Sequence, residues 1–534
     1  MMRDLARSLP LAAFATASLV ACGGQAPTYD LVLAGGVVYD GSGTETVPAD
    51  VAILDGRIAA VGDLGEARAT EAIDVTGLVV APGFIDAHSH AELDEEYGRD
   101  ARHFLTQGIT TVALGLDGGG PVEVADRLRG WEERGIGVNA LTFVGHGTIR
   151  GAVMGMDDRT PTADEMERMK AMVRSAMEEG AFGLSTGLFY TPGFYSTTEE
   201  VIELAKVAAE WDGAIYDTHD RDLGASYQGI GYDASVAEGI RIGEESGLRV
   251  IFSHFNPQGA TNYGRAGVGA RMIEDARARG VAVWAAQHPY TATQSNLRAY
   301  ALPRWASAGG RDEILRRFAD PDTLAILRRQ ITESLAMRGG PEKILFIDAD
   351  PRLNGRTLAE LSDEWGMTVP ETARTVLTES GNAGVMNLDL YDDENTRYLA
   401  TMPWMMTCTD GRTPAAGQRV THPRVYGAFP RKMRLFALDG DHIPVPFAIR
   451  SFSGLAADFF RLSDRGYVRS GMWADLVVLD LAKYRDVSTM EDPHRFSEGA
   501  VHVLVNGRFA IRDGAFQGAL AGRALRAPGG HVGG

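Results

Sequence analysis

A chain of 534 residues is longer than one average domain, and 45% hydrophobic content supports a large core beside a smaller one. A net charge of −19 with no run of Lys or Arg excludes nucleic acid as the expected partner, because phosphate binding needs a basic face. The acidity bears on solubility.

Arg3 and Arg7 precede an apolar run from Leu9 to Val20, which is too short to span a bilayer as a mature helix. Leu19-Val20-Ala21-Cys22 resembles a bacterial lipoprotein box, followed by Gly23-Gly24. The resemblance implies a signal peptide over 1–21, cleavage before Cys22, acylation of that cysteine and a tether over 22–28. The expected location is the periplasm or cell envelope, with membrane contact through the lipid anchor only. The alternative is a plain secretory signal with an incidental cysteine. Cys408 is the only other cysteine, so no disulfide framework is expected despite export.

From 29 to 80, short apolar runs alternate with turn residues, and the same style returns at Gly471-Met472-Trp473-Ala474-Asp475-Leu476-Val477 and His502-Val503-Leu504-Val505. The two ends are expected to build one small β-sandwich, from 29–80 and 461–520, with 521–534 as a flexible tail. Between them, over 81–460, β-like runs alternate with helix-length amphipathic stretches, which is the α/β pattern. The eight candidate strands are 81–90, 108–115, 138–146, 182–188, 213–219, 248–254, 281–287 and 402–409. A helix from Ala163 to Glu179, capped by Thr162, precedes the fourth. Eight such units predict a (β/α)8 TIM-like barrel with its active site at the C-terminal strand ends. The stretch 291–399 is too long for one loop and reads as an insertion over the barrel mouth, where lids select substrate.

The first strand ends in His88-Ser89-His90, and side chains two apart on a strand leave the same face, so these two can hold one ion. His219 closes the fifth strand, His254 the sixth, and Asp410 follows the eighth. All five converge on one rim in a barrel. Singly, each histidine is more often a hydrogen-bonded structural residue than a ligand; together they point to a metal site.

At these residues the chain resembles the amidohydrolase superfamily, and more narrowly the N-acyl-D-amino-acid deacylases. The resemblance rests also on Pro82-Gly83-Phe84-Ile85-Asp86, Gly108-Ile109-Thr110-Thr111-Val112, Gly183-Leu184-Ser185-Thr186-Gly187-Leu188 with Tyr190, Thr218-His219-Asp220-Arg221-Asp222, Ser253-His254, His422-Pro423-Arg424 and Gly427-Ala428-Phe429-Pro430-Arg431. It implies metal-assisted amide hydrolysis with one or two Zn²⁺ ions, His219 and His254 as the principal ligands, and His88 and His90 completing an adjacent site. It also implies Asp410 as general base and Arg424 as the fork for the substrate α-carboxylate, with Tyr190 at the substrate.

The departures from the family pattern are specific. The family's bridging cysteine after the second strand is replaced within Gly115-Leu116-Asp117-Gly118, where Asp117 is the candidate bridge and a solvent-facing loop acid is the other reading. The fourth strand has no lysine to be carboxylated. Asn256 stands where a lysine is usual, and His288-Pro289-Tyr290 stands for Tyr-Pro-Tyr; Asn256, His288 and Tyr290 fall where relatives contact substrate. His146 ends the third strand and serves either substrate or structure. The expected reaction is hydrolysis of N-acyl-amino acids, of D configuration. The alternatives are a dipeptidase or amidase acting on D-containing peptides, and a non-catalytic ligand-binding lipoprotein.

Overall fold

Eight short strands form the barrel wall: Phe84–Asp86, Ile109–Leu114, Asn139–Thr142 resumed as Val144–Gly145, Gly183–Gly187, Ile215–His219, Arg249–Phe252, Val283–Gln287 and Met405–Thr407. The computed structural model in which they are seen describes residues 28–529, apart from positions 45, 66, 416 and 417. The expected signal peptide, Cys22 and nearly all of the tether lie outside the described residues. The first three strands pair in parallel, and Val144–Gly145 begins a second parallel run of six strands ending at Met405–Thr407. Closure between the eighth and first strands comes from backbone bonds beyond their ends, Asp410 N–H to the His88 carbonyl at 2.9 Å and His90 N–H to the Gly411 carbonyl at 3.0 Å.

The third strand breaks at Phe143, and the break explains a correction. The tail was expected to be flexible, but its described part, through residue 529, runs along the open edge of Asn139–Thr142: Leu525 N–H donates to the Ala140 carbonyl and Ala140 N–H to the Arg523 carbonyl. An unpaired strand edge leaves backbone groups to be satisfied, and the tail satisfies them.

Alternation decides what fills the barrel. Ile85, Ala113, Leu141, Ile215, Ile251, Ala286 and Met406 point inward and pack with Leu455, Phe459 and Phe460 of the helix Gly454–Phe460, which plugs the barrel. Burying one such large side chain contributes roughly 1.5–3 kcal/mol. Outside, the helix Ala163–Glu178 begins in a capping box between Thr162 and Glu165, worth about 1 kcal/mol.

Both chain ends build one continuous nine-stranded sheet rather than two separate ones. Val80, Leu476, Val478 and Leu504 face the sheet's own core with Leu31, Leu33, Val51 and Ile58, whereas Val79, Ala81, Val477 and Leu479 face the barrel. Asp475 ties the two bodies: its carboxylate accepts from Asn139 Nδ2 at 3.0 Å, from the Asn506 N–H at 2.6 Å and from Arg465.

The expected insertion carries an antiparallel sheet in the order Thr293–Asn296, Gly384–Asn387, Ile344–Phe346, covered by helices including Pro321–Met337, Leu358–Trp365 and Val369–Ser380. It has its own core, into which Phe189 of the barrel projects. Its last helix, Asp393–Ala400, packs on the barrel helix Ala266–Ala278 and so belongs to the barrel layer.

Candidate metal centre

The first barrel strand stops at Asp86, two residues short of His88. Buried Asp86 accepts from the Thr409 N–H at 2.9 Å, the Thr409 hydroxyl and the His88 N–H at 3.3 Å, which draws the chain toward the eighth strand. Ser89 N–H then donates to the Ala113 carbonyl at 3.1 Å. His88 and His90 therefore converge because they are clamped between the second and eighth strands, not because they continue a strand. Their ring centroids are 5.2 Å apart.

His219 is the last residue of the fifth strand; His254 lies just past the sixth and Asp410 past the eighth. Asp117, His254 and Asp410 have φ of 55°, 33° and 48°. Side chains bearing a β-carbon seldom adopt this left-handed region, and such strain persists only where the surroundings over-determine it. Gly187 shows how tightly Asp117 is held, since a β-carbon there would meet the Asp117 carbonyl oxygen at 2.1 Å.

Asp117 stands between two sets of histidines. Its Oδ1 is 3.5 Å from His88 Nε2, 3.4 Å from His219 Nδ1 and 3.8 Å from His254 Nε2, while Oδ2 is 3.3 Å from His90 Nε2. Asp410 Oδ1 joins the first set, 3.7 Å from His88 Nε2 and 3.3 Å from His90 Nε2. The donor atoms of His88, His90, Asp117 and Asp410 form one group and those of Asp117, His219 and His254 another, each within 4.8 Å of one another. A carboxylate common to both groups is placed to bridge two ions.

The donor set fits a metal. Nε2 of His88, Nδ1 of His219 and Oδ1 of Asp117 are buried without a hydrogen-bond partner, an arrangement that a cation at the centre satisfies. Burial opposes charge on His88, yet Asp117 outweighs it and drives the imidazole pKa well above its ordinary value. Burial likewise pushes the Asp117 carboxyl up, and His88 and His219 hold it well below the usual range. The centre calls for positive charge. Around it, Asp217 accepts from the Ser185 and Ser253 hydroxyls, both at 2.7 Å, and Tyr391 donates to the His254 carbonyl at 3.3 Å.

Arg424, the first residue of the helix Arg424–Lys432, places Nη1 at Oδ2 of Asp410 and 3.1 Å from His288 Nε2. Burial pushes the Asp410 carboxyl up, but Arg424 and His254 hold it well below the usual carboxylate range. His422 accepts the Arg424 N–H on Nδ1 and donates from Nε2 to the Ala292 carbonyl, which fixes its tautomer.

These groups open into a cavity of about 770 Å³. Of the residues expected at substrate, Tyr190 and Arg424 line it, and the Tyr190 ring lies 4.7 Å from that of His219. His288 sits behind Arg424, within 4.0 Å of Asp410. Two residues expected at substrate, Asn256 and Tyr290, are packed away from the cavity, and His146 takes the structural one of its two readings. His146 bonds Glu200 at 3.1 Å, beside the Arg150–Glu200 pair; Asn256 donates to Thr396 at 2.8 Å; Tyr290 lies under Arg431, 4.8 Å from ring to guanidinium. Neither these three nor His288 lines the cavity. The cavity wall that sequence reasoning missed comes from the lid: Thr293, Gln294, Ser295, Asn296, Tyr300 and Tyr391. Its polar, turn-like composition carried no motif; only its place after the seventh strand marked it.

The chain matches the model of the amidohydrolase family over residues 71–511. It is 34% identical to a D-aminoacylase of Alcaligenes xylosoxydans xylosoxydans, covering 93% of this chain and 97% of that one. Its fold superposes on a solved N-acyl-D-glutamate deacylase of Bordetella bronchiseptica, complexed with zinc and a phosphonate mimic of the tetrahedral intermediate, with a TM-score of 0.80, 29% identity and coverage of 94% of this chain and 100% of that chain. A solved D-aminoacylase with a binuclear metal centre, described by one-metal activation and second-metal attenuation, aligns with a TM-score of 0.79 and 32% identity over 93% of this chain and 100% of that chain.

Proposed function

The chain belongs to the amidohydrolase family, in its D-aminoacylase branch, and we propose that it is a metal-dependent deacylase hydrolysing the amide of N-acyl-D-amino acids to a carboxylate and the free amino acid. The observation that carries this is the convergence of His88, His90, His219 and His254 on Asp117, with the Asp410–Arg424 pair at the cavity edge. His219, His254, His88, His90 and Asp117 would hold zinc. When bound, it polarises the scissile carbonyl and makes water a nucleophile near neutral pH.

The rest falls to the protein. Arg424 orients the substrate by its α-carboxylate through a planar fork. Asp410 takes the proton of the attacking water and delivers it to the departing nitrogen. Tyr190, whose ring lies 4.7 Å from that of His219, would stabilise the charge that develops on the carbonyl oxygen. Purified protein assayed with and without zinc against N-acetyl-D-amino acids and their L isomers tests this, with Asp410→Asn as the inactive control. A strict L preference would overturn it.

The location reading rests on Leu19-Val20-Ala21-Cys22 alone: the chain is anchored at the cell envelope through Cys22. Cys22→Ala should move the activity out of the membrane fraction, and an unchanged distribution contradicts the anchor.

A further inference from the structure

Thr293–Asn296 is the outer strand of the lid sheet, bonded on one side only, to Gly384–Asn387. Its register with that strand and the Leu297 N–H bond to the Ala383 carbonyl fix which residues pair. By the two-residue alternation of an antiparallel ladder, Ser295 and Thr293 exchange bonds with Val385 and Asn387. Gln294, through N–H and C=O, and Asn296, through N–H, therefore point to the open edge. Neither backbone has a further partner among the described residues in that direction.

The open edge faces the catalytic cavity. Thr293 and Ser295 lie on one face of the strand and Gln294 and Asn296 on the other, yet all four line the same cavity, so what the cavity meets between them is the edge itself. Thr293 is fixed by the Tyr300 hydroxyl at 2.8 Å, and the Ser295 hydroxyl donates to Tyr190 at 3.2 Å, which places the strand one side chain away from His219. The strand sets out from Ala292, held by His422 beside Arg424, and ends at Asn296, where a smaller cavity of about 30 Å³ continues between Tyr190, Arg298 and Arg304. An exposed strand edge is a template for another extended chain.

We propose that this edge is a subsite for a peptidyl acyl group, so that the preferred substrates are N-blocked peptides ending in a D-residue rather than simple N-acetyl-D-amino acids. With the substrate carboxylate at Arg424, the acyl chain runs along Thr293–Asn296 toward Arg298, antiparallel to the strand, and one of its residues exchanges both main-chain bonds with Gln294. This rests on the deacylase reading of the site. A cavity of about 770 Å³ leaves room for it, since drug-sized ligands occupy roughly 300–1,000 Å³.

The test compares three substrates of one D-amino acid on the metal-loaded protein: the N-acetyl, the N-acetyl-glycyl-glycyl and the N-acetyl-sarcosyl-sarcosyl derivatives, the last lacking the N–H donors. We expect kcat/KM for the glycyl substrate to exceed both others by about tenfold, the effect of one or two added hydrogen bonds. The sarcosyl substrate tests the bond from the substrate N–H to the Gln294 carbonyl; Gln294→Pro removes the N–H that donates to the substrate carbonyl, without touching the ladder, and should shrink the glycyl-to-N-acetyl ratio, which Gln294→Ala should keep. Equal rates for glycyl and sarcosyl substrates, or a glycyl-to-N-acetyl ratio that survives Gln294→Pro, overturn the proposal while leaving the deacylase reading intact. Hydrolysis of none of the three overturns both.

Discussion

Nη1 of Arg424 lies 2.5 Å from Oδ2 of Asp410, with both side chains buried. The cation expected to receive the substrate carboxylate therefore already holds the expected base. An entering carboxylate joins this pair and competes for the same fork. Arg424→Gln should lower kcat/KM roughly 10- to 100-fold on N-acyl-D-amino acids, chiefly through KM, as loss of a charge-assisted bond does. An N-acyl amine, which has no carboxylate, should change far less. Steady-state kinetics on both substrates checks this; an equal loss on the two would remove Arg424 from carboxylate recognition.

Asp117 is common to both groups of donor atoms, so its loss should be felt as loss of metal. Asp117→Ala should lower the zinc content of purified protein, read by elemental analysis after dialysis. Gly187→Ala provides an indirect version. Its β-carbon, 2.1 Å from the Asp117 carbonyl oxygen, forces the carboxylate loop to shift, and zinc retention should fall although no donor atom is removed. Zinc content unchanged in Asp117→Ala would exclude the bridge.

How much of this was legible beforehand follows from where each signal lies. The barrel was readable because its strands are short apolar runs such as Ile109–Leu114, alternating with helices such as Ala163–Glu178, and His219, His254 and Asp410 fall at or just past strand ends. The clamp on His88 and His90 was not readable, since it depends on Asp86 meeting Thr409 across 323 positions. The tail's strand-like course was hidden for the same reason: only the break at Phe143 creates the edge that Leu525 covers. Asn256, His288 and Tyr290 do not line the cavity, because motif position gives proximity in sequence, not the direction of a side chain.

The Tyr190 ring lies 4.7 Å from that of His219, and its oxygen accepts from Ser295 at 3.2 Å, so the phenol is held at the cavity wall beside the ligands. If it stabilises charge developing on the carbonyl oxygen, its effect belongs to the transition state. Tyr190→Phe should lower kcat roughly 10- to 100-fold, with little change in KM or zinc content. A variant that keeps kcat and raises KM would make Tyr190 a ground-state contact.

Lys432 is buried with no carboxylate partner within ion-pair reach among the described residues; its Nζ donates to the Thr407 hydroxyl at 2.7 Å and to the Ser451 hydroxyl at 3.2 Å. Burial pulls its ammonium pKa down from 10.5 to about 7. In the unfolded chain the lysine keeps its ordinary value near ~10.4. Below pH 7 both states carry the proton, and the folded state bears the full desolvation penalty of a buried charge. Between about pH 7 and 10 the folded lysine sheds its proton while the unfolded one retains it, so the unfolded state binds more protons and this residue's contribution to stability rises with pH. Lys432→Met, similar in length and uncharged, should remove that rise: denaturant midpoints of the variant and the unmodified protein should differ most at pH 6, in favour of the variant, and converge toward pH 9. A difference independent of pH would mean that Lys432 stays charged in the fold, held by Thr407 and Ser451 alone.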